Sequence, residues 1–249
     1  MFIEDWQNVK KNLYPGDEFL LNEDYCVYFK SFNDYVISDL FGNPYDRKLH
    51  IGLKPVPYIG NLNKSSIFLL MLNPGLNPSD YIQDDTLEFN KLYNNNLFQK
   101  GNEDFPFFIL NPQICTHSGY SYWFKKLRLI IEKIKKTENI SWLEAQEKIS
   151  KKIALLELIP YHSKNFGLSD KIINKMNSVR TIKNYVKKVL VPKARNHECV
   201  IIVMRSSKNW ELEPEEKIVV YNNVEARAGS LGVNSRGYEE IIKQLNYNH

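Results

Sequence analysis

The chain has 249 residues, with 33 Lys and Arg against 29 Asp and Glu, a formal charge of +4, and is 43% hydrophobic and 25% charged. It is long and apolar enough to bury a full core, which excludes a disordered, collagen-like or polycationic chain. Its longest strongly apolar run, residues 67–72, is far short of the roughly 20 residues of a membrane span. The start Met1-Phe2-Ile3-Glu4-Asp5-Trp6 lacks the basic and apolar regions of a signal peptide. The expectation is a soluble, cytoplasmic protein without a membrane partner, acting as a monomer. Cys26, Cys115 and Cys199 lie far apart without a C-x-x-C pair, and the five histidines show no H-x-H or H-x-x-x-H spacing. Neither a disulfide framework, a metal site nor a cofactor is expected.

Along the chain, residues 1–54 mix short apolar stretches with the turn signals Tyr14-Pro15-Gly16-Asp17 and Phe41-Gly42-Asn43-Pro44, and read as an irregular or partly helical cap. Pro55 and Pro57 then enforce an extended approach to the core of residues 55–249. Three apolar runs, residues 67–72, 153–159 and 199–204, have the pattern of strands buried on both faces of a parallel sheet. A polar loop is expected near Tyr93-Asn94-Asn95-Asn96. Helical periodicity covers residues 122–136, 142–150 behind the capping box Ser141-Trp142-Leu143-Glu144, 171–190 behind Ser169, and 236–245. Strands alternating with helices make a single α/β domain spanning 1–249.

In open α/β sheets ligands bind beyond the carboxyl ends of the strands, which directs attention to Asn73-Pro74-Gly75-Leu76-Asn77-Pro78, residues 157–162, Arg205-Ser206-Ser207-Lys208-Asn209-Trp210 and Arg227-Ala228-Gly229-Ser230-Leu231-Gly232. Here the chain resembles the uracil-DNA glycosylase superfamily, from about Pro55 to Leu245. Leu72-Asn73-Pro74-Gly75 is similar to the G-I-N-P-G motif of its mismatch-specific branch. Residues 200–207 resemble the strand that ends in W-G-S. Arg227-Ala228-Gly229-Ser230-Leu231 stands where the family has H-P-S-P-L, and Arg236-Gly237-Tyr238 resembles its R-G-F helix start. The resemblance implies a three-layer α/β/α sandwich on a mainly parallel four-stranded sheet. It implies a DNA glycosylase that extrudes a uracil, mismatched or modified base, with Phe108 stacking on it and Glu157 where the family reads the base with asparagine.

Chemistry sharpens these expectations. Asn73 could orient a water at the anomeric carbon, or only begin the turn that Pro74-Gly75 continues. Arg227, replacing the family's histidine, could stabilise the departing base, or be a solvated arginine beside Glu225. An ionised Glu157 would repel uracil O4 and accept from the amino group of cytosine, or be a buried ion-pair partner. Gly75 would border the base, and Phe108 could equally be an aromatic in an apolar strand. Leu231, in a Gly- and Ser-rich loop, would be an exposed wedge in the unstacked duplex. Ser206, Ser207, Lys208, Gly229 and Ser230 would contact phosphates, and the basic residues 171–188 would add positive surface or simply be solvated. The alternatives are a nucleic-acid or nucleotide-binding module that has lost the chemistry, and an unrelated α/β enzyme. G-x-S-x-G, G-x-x-x-x-G-K-[ST] and G-x-G-x-x-G are all absent.

Overall fold

A computed structural model of the chain describes residues 2–12, 24, 28–100 and 104–246. The turn expected at residues 14–17, Cys26 and His249 lie outside the described residues. The elements in order are α1 (Phe2–Asn12), β1 (Tyr28–Phe29), α2 (Phe32–Val36), β2 (Leu49–His50), β3 (Tyr58–Ile59), β4 (Ile67–Met71), α3 (Asp80–Gln83), α4 (Leu87–Leu97), α5 (Ser118–Glu138) and α6 (Trp142–Lys152). They continue with β5 (Ile153–Glu157), α7 (Asp170–Ile173), α8 (Asn177–Tyr185), α9 (Val191–Arg195), β6 (Val200–Val203), α10 (Ser207–Trp210), β7 (Ile218–Val220), α11 (Asn223–Ala228) and α12 (Arg236–Asn246).

The three apolar runs form β4, β5 and β6, and every residue in them is buried. Successive strand residues face opposite ways, so both faces of this part of the sheet are covered. The sheet has five strands in the order β3-β5-β4-β6-β7, not the expected four. β5, β4, β6 and β7 are parallel and β3 is antiparallel to β5. The additional strand comes from the proline-rich approach. Pro57 has no N–H to give, but its carbonyl accepts from Glu157 N at 3.1 Å, and Val56 N donates to Pro160 O at 2.8 Å. An edge position tolerates prolines in this way.

Three further expectations are corrected. The polar stretch at residues 93–96 is not a loop but part of α4, capped by Thr86 and burying Phe89, Leu92, Tyr93, Asn96 and Leu97. Asn96 is buried because its amide accepts from Gly60 N at 2.8 Å and donates to Tyr58 O at 2.9 Å, fastening α4 to the edge strand. The long helix expected over 171–190 is broken. The buried Asp24 carboxylate accepts from Ser178 N at the start of α8 and from the Tyr161 hydroxyl. Residues Val186–Leu190 widen into a π-turn before Pro192, which cannot supply a helical donor. Phe108 lies in a 3-10 turn, Phe108–Leu110, rather than in a strand.

The capping box of α6 forms as expected, with Ser141 and Glu144 reciprocally bonded. The N-terminal cap joins the main core: Phe2 packs edge-on to Tyr58, Trp6 edge-on to Tyr161, and His50 N donates to His162 O at 2.8 Å. One contiguous apolar cluster extends from Phe2 to Ile241. Among the described residues no helix is long and apolar enough to cross a membrane.

Candidate functional site

Parallel strands bring their carboxyl ends to one edge, and three adjacent ends meet here. Met71 is paired with Glu157 and Leu70 with Val203. Asn73 beyond β4, Glu157 at the end of β5 and Arg205 beyond β6 therefore stand side by side. The chain runs from β4 to β5 on one side and returns to β6 on the other, so the loops diverge and leave a crevice. That crevice is a cavity of about 540 Å³ lined by all three residues.

Asn73 is fixed by its amide nitrogen. Nδ2 donates to Pro74 O at 3.0 Å, Tyr161 O at 3.1 Å and Ser163 Oγ at 2.8 Å. Two of these partners are carbonyls, which only accept, so the amide orientation follows from chemistry. Its Oδ1 remains to accept from a ligand or water. The segment after Asn73 is not the turn its Pro-Gly composition favours. It runs as coil beside residues 159–163, with Ile159 N bonded to Leu72 O and Ser163 N to Pro74 O. Gly75 lines the cavity, is exposed, and has open space where a Cβ would stand.

Glu157 is 4% exposed and its Oε2 has no hydrogen-bond partner. It forms no ion pair among the described residues, and burial alone pushes its carboxyl well above the usual value of 4.5. The site therefore favours the protonated acid. The expectation of an ionised carboxylate that repels uracil is corrected accordingly. A protonated carboxyl donates through O–H and accepts through C=O, which suits both the lactam edge of uracil and the amidine edge of cytosine.

The walls are aromatic and apolar. Phe108 lines the cavity and is held edge-on by Phe89 at 5.6 Å and Tyr93 at 6.5 Å between centroids. Trp123 and Phe166 complete the lining on other sides. His117 caps α5: its Nδ1 accepts from Gly119 N, so Nε2 carries the proton toward Asp84 Oδ1 at 3.1 Å. Asp80 accepts from Asn77 N and from the Ser118 hydroxyl at 2.6 Å. Both ring nitrogens of His162 face carbonyl oxygens, those of Gly75 and Lys54. Among the described residues no group of three or more His, Cys, Asp or Glu could hold a metal ion.

Asn73, Gly75, Phe108 and Glu157 are thus brought together, whereas the other expected site residues do not line the cavity. Arg227 sits in the last turn of α11, a surface helix with no buried residue, and is exposed. Arg205, with Lys164, supplies the positive charge that lines the cavity instead. Leu231 is not an exposed wedge: it is 2% exposed and belongs to the core, packed beside Gly237 of α12. Lys208 pairs with Asp170 at 2.7 Å. Ser206 Oγ accepts from Asn209 Nδ2, Ser207 begins the short α10, and Ser230 Oγ accepts from Gly232 N. Gly229 is one step from the cavity, lying against the Arg205 guanidinium.

Arg205, His162 and Ser163 follow apolar strands, a positional signal that the sequence carried. Tyr122, Asp80, Asp84 and His117 arrive from loops and a helix start, with no spacing to mark them. Comparison with protein-family models, with curated proteins and with solved structures finds no match for this chain.

Proposed function

We propose that the cavity receives an extruded nucleobase and that the protein is a DNA glycosylase-like N-glycosyl hydrolase on a three-layer α/β/α scaffold, acting in repair of uracil, mismatched or modified bases. The observation that carries this reading is the meeting of Asn73, Glu157 and Arg205 at three adjacent strand ends over one aromatic-walled cavity. Its 540 Å³ lies within the roughly 300–1,000 Å³ of small-molecule sites. A planar heterocycle suits the Phe108 wall, and Glu157 offers its edge one donor and one acceptor.

Hydrolysis breaks the bond from C1′ to the base nitrogen and forms one from C1′ to water oxygen. Asn73 Oδ1 accepts from that water and aims its lone pair at C1′. Departure leaves negative charge on the base, which the Glu157 O–H and the Arg205 guanidinium stabilise. The water's proton is released as the C1′–O bond forms, and the base takes up one proton in exchange. Asn73 is neutral and cannot remove that proton early, so the reaction is slow. The test is base release from oligonucleotides bearing uracil, a mismatch or a modified cytosine.

A second reading, binding without chemistry, is favoured by one observation: Asp80, Asp84 and His117, which line the cavity, are tied up in hydrogen bonds between their own segments. Tight binding of a lesion-bearing strand with no base release from any duplex would select it.

A further inference from the structure

Beside the cavity, two cations share one backbone carbonyl's neighbourhood. Lys126 Nζ donates to Gly229 O, and the Arg205 guanidinium lies against the Gly229 Cα, close enough that a Cβ there would stand 2.9 Å from Nε. Tyr122, one turn before Lys126 on the same face of α5, lines the cavity with Arg205; its hydroxyl is near enough to feel the Arg205 charge, and its ring lies 5.1 Å from Lys126 Nζ. Among the described residues neither cation forms a salt bridge, although Lys148, Lys183, Lys187, Arg195, Lys208 and Arg236 all do.

Two half-buried positive charges placed together without a carboxylate repel each other and cost stability unless an anion joins them. Glu157, which lines the same cavity, is driven toward its neutral form by burial and forms no ion pair with either cation. Glu225, the nearest acid on α11, is spent on Arg236 and on the helix cap. We infer that Lys126 and Arg205 form a phosphate-binding step at the mouth of the cavity, which takes the phosphate ester of the nucleotide whose base enters it. Gly229 permits this arrangement because any side chain there would strike the guanidinium. The step rests on the base-binding reading for its ligand and shares Arg205 with it, whereas Lys126 belongs to the step alone.

Burial and the Arg205 charge bring the Lys126 ammonium down to about 8. Its contribution is therefore complete below that pH and lost as pH rises through it. The groups acting on it are the Arg205 guanidinium and the Tyr122 ring.

The experiment measures binding of deoxyuridine, deoxycytidine, their 5′-monophosphates and inorganic phosphate by calorimetry, in wild type, Lys126→Met and Lys126→Arg, at pH 6.5 to 9.5, roughly bracketing that transition. The expected result is that the 5′-phosphate strengthens binding about tenfold or more. That gain should vanish in Lys126→Met, persist in Lys126→Arg, and fade in wild type, but not in Lys126→Arg, as the lysine deprotonates. Nucleosides that bind while the phosphate adds nothing overturn this inference and leave the base pocket standing. Inorganic phosphate that binds in a Lys126-dependent way, with no nucleoside bound, supports the inference and overturns the base-binding reading. A phosphate gain unchanged in Lys126→Met also overturns it.

Discussion

Glu157 shows how one residue's surroundings reverse its chemistry. The sequence places it correctly at a strand end, but its ionisation depends on how completely side chains from distant segments exclude water. Only the folded chain reveals that. Because burial raises its pKa in the folded state, the stability linked to this group is fully present below about pH 4.5 and is lost as pH rises toward the folded-state value. Glu157→Gln keeps a donor and an acceptor but removes the titration. Its melting temperature should match wild type near pH ~4 and exceed it increasingly from about pH 5 to 7. Thermal unfolding across that range checks this, and a difference that does not change with pH contradicts it. The two arginines teach the same lesson. Motif alignment favoured Arg227, yet α11 is a surface helix and carries it away, while Arg205 gains its place from the end of β6.

At the scale of elements, the strongly periodic pieces were legible: α5, α6, α12 and three core strands fall where their apolar spacing puts them. What escaped depends on partners far away in sequence. The Asn-rich α4 reads as polar until Asn96 meets the backbone of β3. The 171–190 pattern reads as continuous until the Asp24 carboxylate caps the start of α8 and divides it from α7. Gly237 marks another long-range constraint, since a Cβ there would press on the Tyr221 hydroxyl, Leu231 and Ile202. Gly237→Ala should therefore cost about 1–3 kcal/mol in urea unfolding, with wild-type stability as the contradicting result. Gly75→Ala, whose Cβ meets nothing, should stay within about 0.5 kcal/mol of wild type. If it nonetheless weakens nucleoside binding, the ligand passes over the Gly75 backbone. Ser141→Ala removes half of the capping box of α6 and should cost about 1 kcal/mol by the same measurement.

For the whole molecule, composition and alternation of elements suffice for a mixed α/β chain with a mostly parallel sheet. The short β3 and β7 do not stand out because two- and three-residue strands carry too little pattern. The net charge of +4 is small, and within the basic surface Lys183 and Lys187 are paired with Glu211. Affinity for a lesion-bearing duplex should fall with salt at a log–log slope of about −2 to −3, the release expected for two or three phosphates. A slope near about −6 would instead bring the basic surface of residues 171–188 into contact.

The most direct test compares base release by wild type and Asn73→Ala on single-lesion oligonucleotides, with both proteins shown to be equally folded. Hydrolysis through a water held by Oδ1 predicts release by wild type and a fall of roughly a hundredfold in the variant. Equal rates in the two proteins, or no release by wild type from any lesion, would contradict it.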